Sequence, residues 1–112
     1  MVATRSLSGT GAPCNMGKTA MEALSYTLAK EERDHGIRVS IVAPGRVDTY
    51  MGQRLIHAGQ GAEDICTLDE FMPFGRVRQP ADVVNVVRFS ASNENPYLNG
   101  ECLDCDGGGQ NL

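Results

Sequence analysis

The sequence predicts an α/β fold on a parallel sheet, and three observations carry that expectation. A helix-forming segment at 15–33 is followed at once by the β-branched run 37–43, the order that makes half of a strand–helix–strand unit. A second helix opens at Gln79-Pro80-Ala81-Asp82, and a short strand follows it between Asn99-Gly100 and Asp106-Gly107-Gly108. The 13 glycines among 112 residues exceed the ordinary share of about 7% and fall at element ends and turns, not in a repeat.

In chain order, 1–5 reads as a strand stub and 6–13 as a loop of glycine and serine. In the first helix Met16, Ala20, Ala23, Leu24 and Leu28 recur at helical spacing, among strong helix formers. His35-Gly36 then supplies a stop, since glycine takes a left-handed conformation freely. The next run is almost continuously apolar from Val39 to Ala43 and ends at Pro44-Gly45, as a strand buried on both faces does. Residues 46–72 lack clean periodicity, and a connection that long is usually functional or mobile. Within it 49–58 is predicted to be helical, while Phe71, Met72 and Phe74 suit an apolar pocket or the core.

The second helix begins with Pro80 and carries Asp82 in its first turn, both favourable there. Val83, Val84, Val86, Val87 and Phe89 are expected to form its buried face, Ser90 stands where an apolar residue would be preferred, and Ser92-Asn93 ends it. Residues 110–112 read as a tail. Two strands and two helices leave sheet edges unpaired and apolar faces uncovered. The chain therefore reads as a single partial domain over 1–112, belonging to a larger sheet.

The net charge of −4 and pI near 5.0 argue against a nucleic-acid partner, which requires clustered cations. No apolar stretch approaches the roughly 20 residues of a membrane span, and no secretion-type segment opens the chain, so a cytoplasmic protein without membrane contact is expected. The four cysteines are too few for a disulfide scaffold. Cys102 and Cys105 form one C-x-x-C, but on a strand residues three apart face opposite ways, and neither His35 nor His57 completes a zinc-type spacing. No metal is expected, and the cysteines read chiefly as small buried hydrophobes.

Several segments also fall into a joint pattern. Asn15-Met16-Gly17-Lys18-Thr19-Ala20 with Glu22-Ala23-Leu24 comes first. Gly36-Ile37-Arg38-Val39-Ser40-Ile41-Val42-Ala43-Pro44-Gly45-Arg46-Val47-Asp48-Thr49 follows. Pro73-Phe74-Gly75-Arg76-Val77, Gln79-Pro80-Ala81-Asp82-Val83, Asn99-Gly100-Glu101 and Asp104-Cys105-Asp106-Gly107-Gly108 complete it. In this order and spacing, from about 11 to 108, they resemble the C-terminal half of the short-chain dehydrogenase/reductase family, particularly its 3-oxoacyl-[acyl-carrier-protein] reductase-like members. The resemblance implies the C-terminal part of a Rossmann-like doubly wound parallel sheet, lacking the N-terminal dinucleotide-binding half.

It also implies hydride transfer between a small alcohol or carbonyl compound and the nicotinamide ring of NAD or NADP. In the family a Tyr-x-x-x-Lys pair on the active-site helix performs the proton step. The phenol titrates near ~10 and needs adjacent positive charge to ionise, which the Lys supplies while binding the nicotinamide ribose. Here Lys18 holds the Lys position and Cys14 the Tyr position. A thiol titrates lower, at about 8.5, so acidity is no obstacle. Reach is, because the sulfur stops an aromatic ring short of where the phenolic oxygen acts.

By the same resemblance Lys18, Pro44, Gly45, Val47 and Thr49 line the nicotinamide end of the cofactor site, with the Thr49 hydroxyl and backbone groups holding the carboxamide. The family's catalytic Ser falls at or before Met1 at its usual separation, so Ser6 or Ser8 fills that role only across a shortened loop. The Gly9-Thr10-Gly11 stretch is not a dinucleotide fingerprint, because Cys14 stands at the third glycine position. Three readings follow. The first is a truncated NAD(P)-dependent oxidoreductase, impaired at Cys14 and without its Gly-rich turn. The second is a non-catalytic module that associates with itself or a full-length relative. The third is an enzyme whose front half comes from another chain.

Overall fold

The computed structural model describes residues 11–60 and 64–108. In order these form α1 (Ala12–Glu31), a 3₁₀ turn (Arg33–His35), β1 (Ile41–Pro44), α2 (Tyr50–Gln60), 3₁₀ segments at Ile65–Phe71 and Pro73–Gly75, α3 (Pro80–Ala91) and β2 (Cys102–Cys105). The expected strand stub at 1–5, most of the loop at 6–13 and the tail at 110–112 lie outside the described residues.

Helix α1 starts three residues earlier than periodicity indicated, because Pro13 is accommodated in its first turn, where a missing N–H costs nothing. It ends at Glu31, and Gly36, at φ 75°, closes the following 3₁₀ turn as the stop signal required. The strand is shorter than the apolar run: 37–40 lead into it and pairing begins at Ile41. Helix α3 begins where expected, the Asp82 carboxylate reaching back to accept the Gln79 amide at 2.8 Å while the Asp82 amide donates to the Gln79 carbonyl at 3.0 Å.

The two strands pair in parallel, Ile41 opposite Cys102 and Pro44 opposite Cys105. The ladder continues beyond both ends, from the Ile41 amide to the Glu101 carbonyl at 2.8 Å and from the Gly45 amide to the Cys105 carbonyl at 3.2 Å. Strand alternation assigns the two faces. Ile41 and Ala43 are buried against Tyr26 of α1 together with Cys102. On the other face Cys105 Sγ lies 4.0 Å from the Asp82 carbonyl of α3. One helix therefore covers each face, the doubly wound arrangement, and Cys102 and Cys105, neither in a disulfide, lie on opposite sides of the sheet.

A second cluster sits in the crossover between β1 and α3, where Ile56, Ile65 and Val77 are buried with Leu68 and Met72 packed around them. Met72 thus belongs to the core, whereas Phe71 and Phe74 are exposed. The face of α3 corrects the sequence reading, and that of α1 adds to it. On α3 Val83 and Val86 are half-buried, but Val84, Val87 and Phe89 are exposed. Ser90 needs no apolar replacement, because its hydroxyl donates to the Val86 carbonyl at 2.8 Å. On α1 the apolar stripe containing Met16 and Leu24 is solvent-facing, at 67% and 57% exposure, and the face turned to the sheet is the more polar one.

Candidate functional site

The direction of α1 across the sheet is fixed by its C-terminal end. Asn99 Nδ2 donates to the Ala29 carbonyl at 2.7 Å, and Asn99 Oδ1 accepts the Val39 amide at 2.8 Å. Ala29 therefore sits beside the start of the strands. Tyr26, three residues earlier, already packs on Ile41 and Ala43, so α1 runs antiparallel to β1. Counting back 11 residues from Ala29 moves about 16 Å along the helix axis. Advancing from Val39 to Gly45 covers about 20 Å along the strand. Lys18 and the 44–49 loop therefore lie toward the same end of the sheet, the carboxyl end of the strands, where open parallel sheets bind ligands.

Lys18 lies on the inward stripe of α1. Residues 18, 22, 25 and 29 recur at helical spacing, Ala29 is buried, and Lys18, Glu22 and Ser25 are half-buried. Cys14, one turn earlier, is exposed. Ser6 and Ser8 lie outside the described residues.

The 44–49 loop is held mostly by its main chain. Its Gly45 amide completes the ladder to Cys105, and the Asp48 amide donates to the Arg78 carbonyl at 2.8 Å beside a parallel bridge between Val47 and Arg78. Pro44, Gly45 and Val47 are half-buried and Thr49 is exposed. Thr49 Oγ1 accepts the Gly52 amide at 3.1 Å, heading α2 as a cap, and donates to the Val47 carbonyl only at 3.5 Å, the long limit of such a bond. That hydroxyl hydrogen is free to turn to another acceptor. The donor set of this loop, backbone groups plus one hydroxyl, suits a neutral amide, and a lysine toward the same end of the sheet suits a hydroxylated sugar.

Residues that the motif pattern did not mark also shape the loop. Gly52 packs so closely that a Cβ would fall on the Val47 carbonyl oxygen. Arg78 Nη1 donates to the Arg46 carbonyl at 2.9 Å and occupies the space a Gly45 side chain would need. Asp48 accepts from Gln53 at 3.0 Å and from Gln79 at 3.3 Å. The glycine of Pro44-Gly45 was a visible signal; the Arg78–Arg46 and Gln79–Asp48 contacts span 32 and 31 residues, and none of these contacts leaves a local pattern.

The Arg76 guanidinium, bonded to both oxygens of Asp82 at 2.7 and 2.9 Å, draws that carboxyl down to about 2 with help from the Gln79 amide. On the crossover the Cys66 thiol is raised by local desolvation and then by Asp64, Asp48 and Asp69, which makes it a poor thiolate. No group of three or more potential metal ligands occurs among the described residues, and none of their helices is long and apolar enough to cross a membrane.

Comparison with known proteins places this arrangement. Residues 1–110 match the family model described as enoyl-(acyl carrier protein) reductase. The uncharacterized oxidoreductase YmfI of Bacillus subtilis is 38% identical over 113 residues, spanning 96% of this chain and 45% of that protein. The 3-oxoacyl-[acyl-carrier-protein] reductase FabG of Thermotoga maritima is 34% identical over 91 residues, spanning 81% and 35%. Among solved structures, the angucycline C-6 ketoreductase LanV with bound NADP superposes with a TM-score of 0.74 at 31% identity, over 93% of this chain and 38% of that one. Aldohexose dehydrogenase of Thermoplasma acidophilum gives a TM-score of 0.83 over 96% and 44%, a likeness of fold at 23% identity. The chain thus spans less than half the length of these relatives. Its parallel sheet, its helix on each face and its match along nearly the whole sequence make it a member of the short-chain dehydrogenase/reductase family.

Proposed function

We propose that this chain carries the nicotinamide side of an NAD(P)-dependent oxidoreductase site acting on a small alcohol or carbonyl compound, and that alone it is inactive or weakly active. The cofactor, when bound, supplies the hydride acceptor or donor. Lys18 would bind the nicotinamide ribose and lend positive charge to the proton-transfer position. Pro44, Gly45, Val47 and Thr49 would hold the carboxamide through backbone groups and the Thr49 hydroxyl. Cys14 stands where the proton carrier belongs, yet its side chain is short of the reacting oxygen, and proton transfer needs hydrogen-bond reach. What supports the reading above all is that the inward stripe of α1 carrying Lys18 and the 44–49 loop approach one end of the sheet.

The test is a fluorescence titration of the chain with NADPH and NADH. Binding of either, weakened about tenfold or ~1.4 kcal/mol by Lys18→Ala, is expected. Indifference of the affinity to Lys18→Ala, or no binding of either cofactor, contradicts the reading. Cys14→Tyr should raise ketone reduction above the parent chain, because the phenol restores reach.

One observation favours a second reading, a non-catalytic module that associates with itself or a full-length relative. The outer face of α1 presents Met16, Ala20, Ala23 and Leu24 to solvent. Sedimentation decides it: association abolished by Met16→Glu and Leu24→Glu supports the module, and a monomer at all concentrations removes it.

A further inference from the structure

The 77–79 stretch is bonded on both sides. Toward the crossover, the amide of buried Val77 donates to Asp69 Oδ1 at 2.6 Å, and the Val77 side chain is packed with Ile56 and Ile65. Toward the 44–49 loop, the next residue offers its carbonyl to the Asp48 amide at 2.8 Å, bridges Val47, and sends its guanidinium to the Arg46 carbonyl at 2.9 Å. Gln79 Nε2 adds a bond to Asp48 Oδ2 at 3.3 Å. The loop has little to shape it from within, since its own Thr49–Val47 contact is at 3.5 Å. Between its ends, which the Gly45–Cys105 bond and the Thr49 cap of α2 hold, it is tied to the segment beside it.

We infer that 77–79 is a splint through which Asp69, in the crossover, positions the 44–49 loop for the nicotinamide end of the cofactor. The inference rests on the assignment of that loop made above. Asp69 and Arg78 are positioning residues here: they act through the loop backbone and touch no reacting atom. Coupling of this kind is reciprocal, so whatever orders the crossover also orders the loop, and a cofactor on the loop steadies the crossover. Asp69 is half-buried and accepts a main-chain amide, so its removal would release Val77 first and the loop through it.

Amide hydrogen exchange by NMR on the free chain tests the splint without cofactor. In Asp69→Ala, exchange at the Val77 and Asp48 amides should both quicken at least about fivefold, with the β1 amides of Ile41, Val42 and Ala43 unchanged. A local structural role would quicken Val77 alone, and that result overturns the inference. If Asp69→Ala loses β1 protection, Arg78→Ala is read instead: it leaves the Asp69 bond in place, and acceleration confined to the 44–49 loop with Val77 unaffected likewise overturns the coupling. In a chain that binds NADPH, Asp69→Ala should raise the dissociation constant about fivefold, and an unchanged constant counts against positioning. Failure of the wild-type chain to bind any nicotinamide cofactor counts against the proposed function and leaves the exchange result to decide the splint.

Discussion

The sheet layer and the crossover bury side chains equally well and are built in different ways. In the layer, Ile41, Val42 and Ala43 are nearly inaccessible because a helix covers each face of β1, and neighbouring elements meet through apolar alternation. In the crossover, Ile56, Ile65 and Val77 are as inaccessible, yet the chain around them is held by polar side chains on main-chain amides. Asp64 caps the 3₁₀ segment at Cys66, Asp69 takes the Val77 amide, and Thr49 takes the Gly52 amide. Apolar packing sets which face is inside; the polar bonds set the path of an irregular backbone. The proposed site falls at the junction of the two, with Lys18 from the layer and the 44–49 loop at the crossover's start.

The largest effects should separate the two regions. Ile41→Ala removes a fully buried side chain from the layer and should cost about 2–5 kcal/mol in denaturant unfolding, with every probe losing stability together. Ile65→Ala, equally buried, should quicken amide exchange across the crossover and leave β1 protection close to that of the parent. Equal loss of protection everywhere would show that the two clusters unfold as one and erase the distinction.

Next comes Arg38, which fastens the end of α3 to the layer. Its guanidinium donates to the carbonyls of Asn95 at 2.6 Å, Ser90 at 3.2 Å and Ser92 at 3.0 Å. Arg38→Ala should lower stability by about 2–3 kcal/mol, the range of charged hydrogen bonds, as measured by urea denaturation. Arg38→Lys should not restore it, because an ammonium cannot fork over several carbonyls. Asn99→Ala, which unties α1 from the strand entry, should cost about 1–2 kcal/mol by the same measurement.

The smallest effect is acidic. Because the Arg76 bonds hold Asp82 near 2, below its unfolded value, the ionised carboxylate contributes stability that is full above about pH 4. That contribution fades as the pH falls through the folded value. Helix signal at the start of α3 should decline between about pH 4 and 2 in the wild type. In Asp82→Asn the same region should be weaker at neutral pH and show no such step.

Much of the layer was legible in the amino acids. Pro80 and Asp82 mark the start of α3, Gly36 marks the stop after α1, and the run to Ala43 marks β1, because each signal is local. Burial on the helices was less legible. Met16, Leu24, Val84 and Val87 are apolar at helical spacing and still face solvent, since a sequence shows that a face is apolar and not what covers it. The proposed site is drawn from a motif, at Lys18 and Pro44-Gly45. The bonds of Asp48 to Gln53 and Gln79, of Asp69 to the Val77 amide and of Arg78 to the Arg46 carbonyl leave no periodicity.

The claim at the centre is that Lys18 and the 44–49 loop form one nicotinamide-binding surface at the carboxyl end of the sheet. Chemical-shift mapping of the isotope-labelled chain with NADPH tests it most directly. Saturable shifts at Lys18 and at the amides of Gly45, Val47 and Thr49, with the outer face of α3 around Val87 unmoved, are the expected result. Saturation that leaves Lys18 and the loop unshifted, with changes elsewhere on the surface, would contradict it.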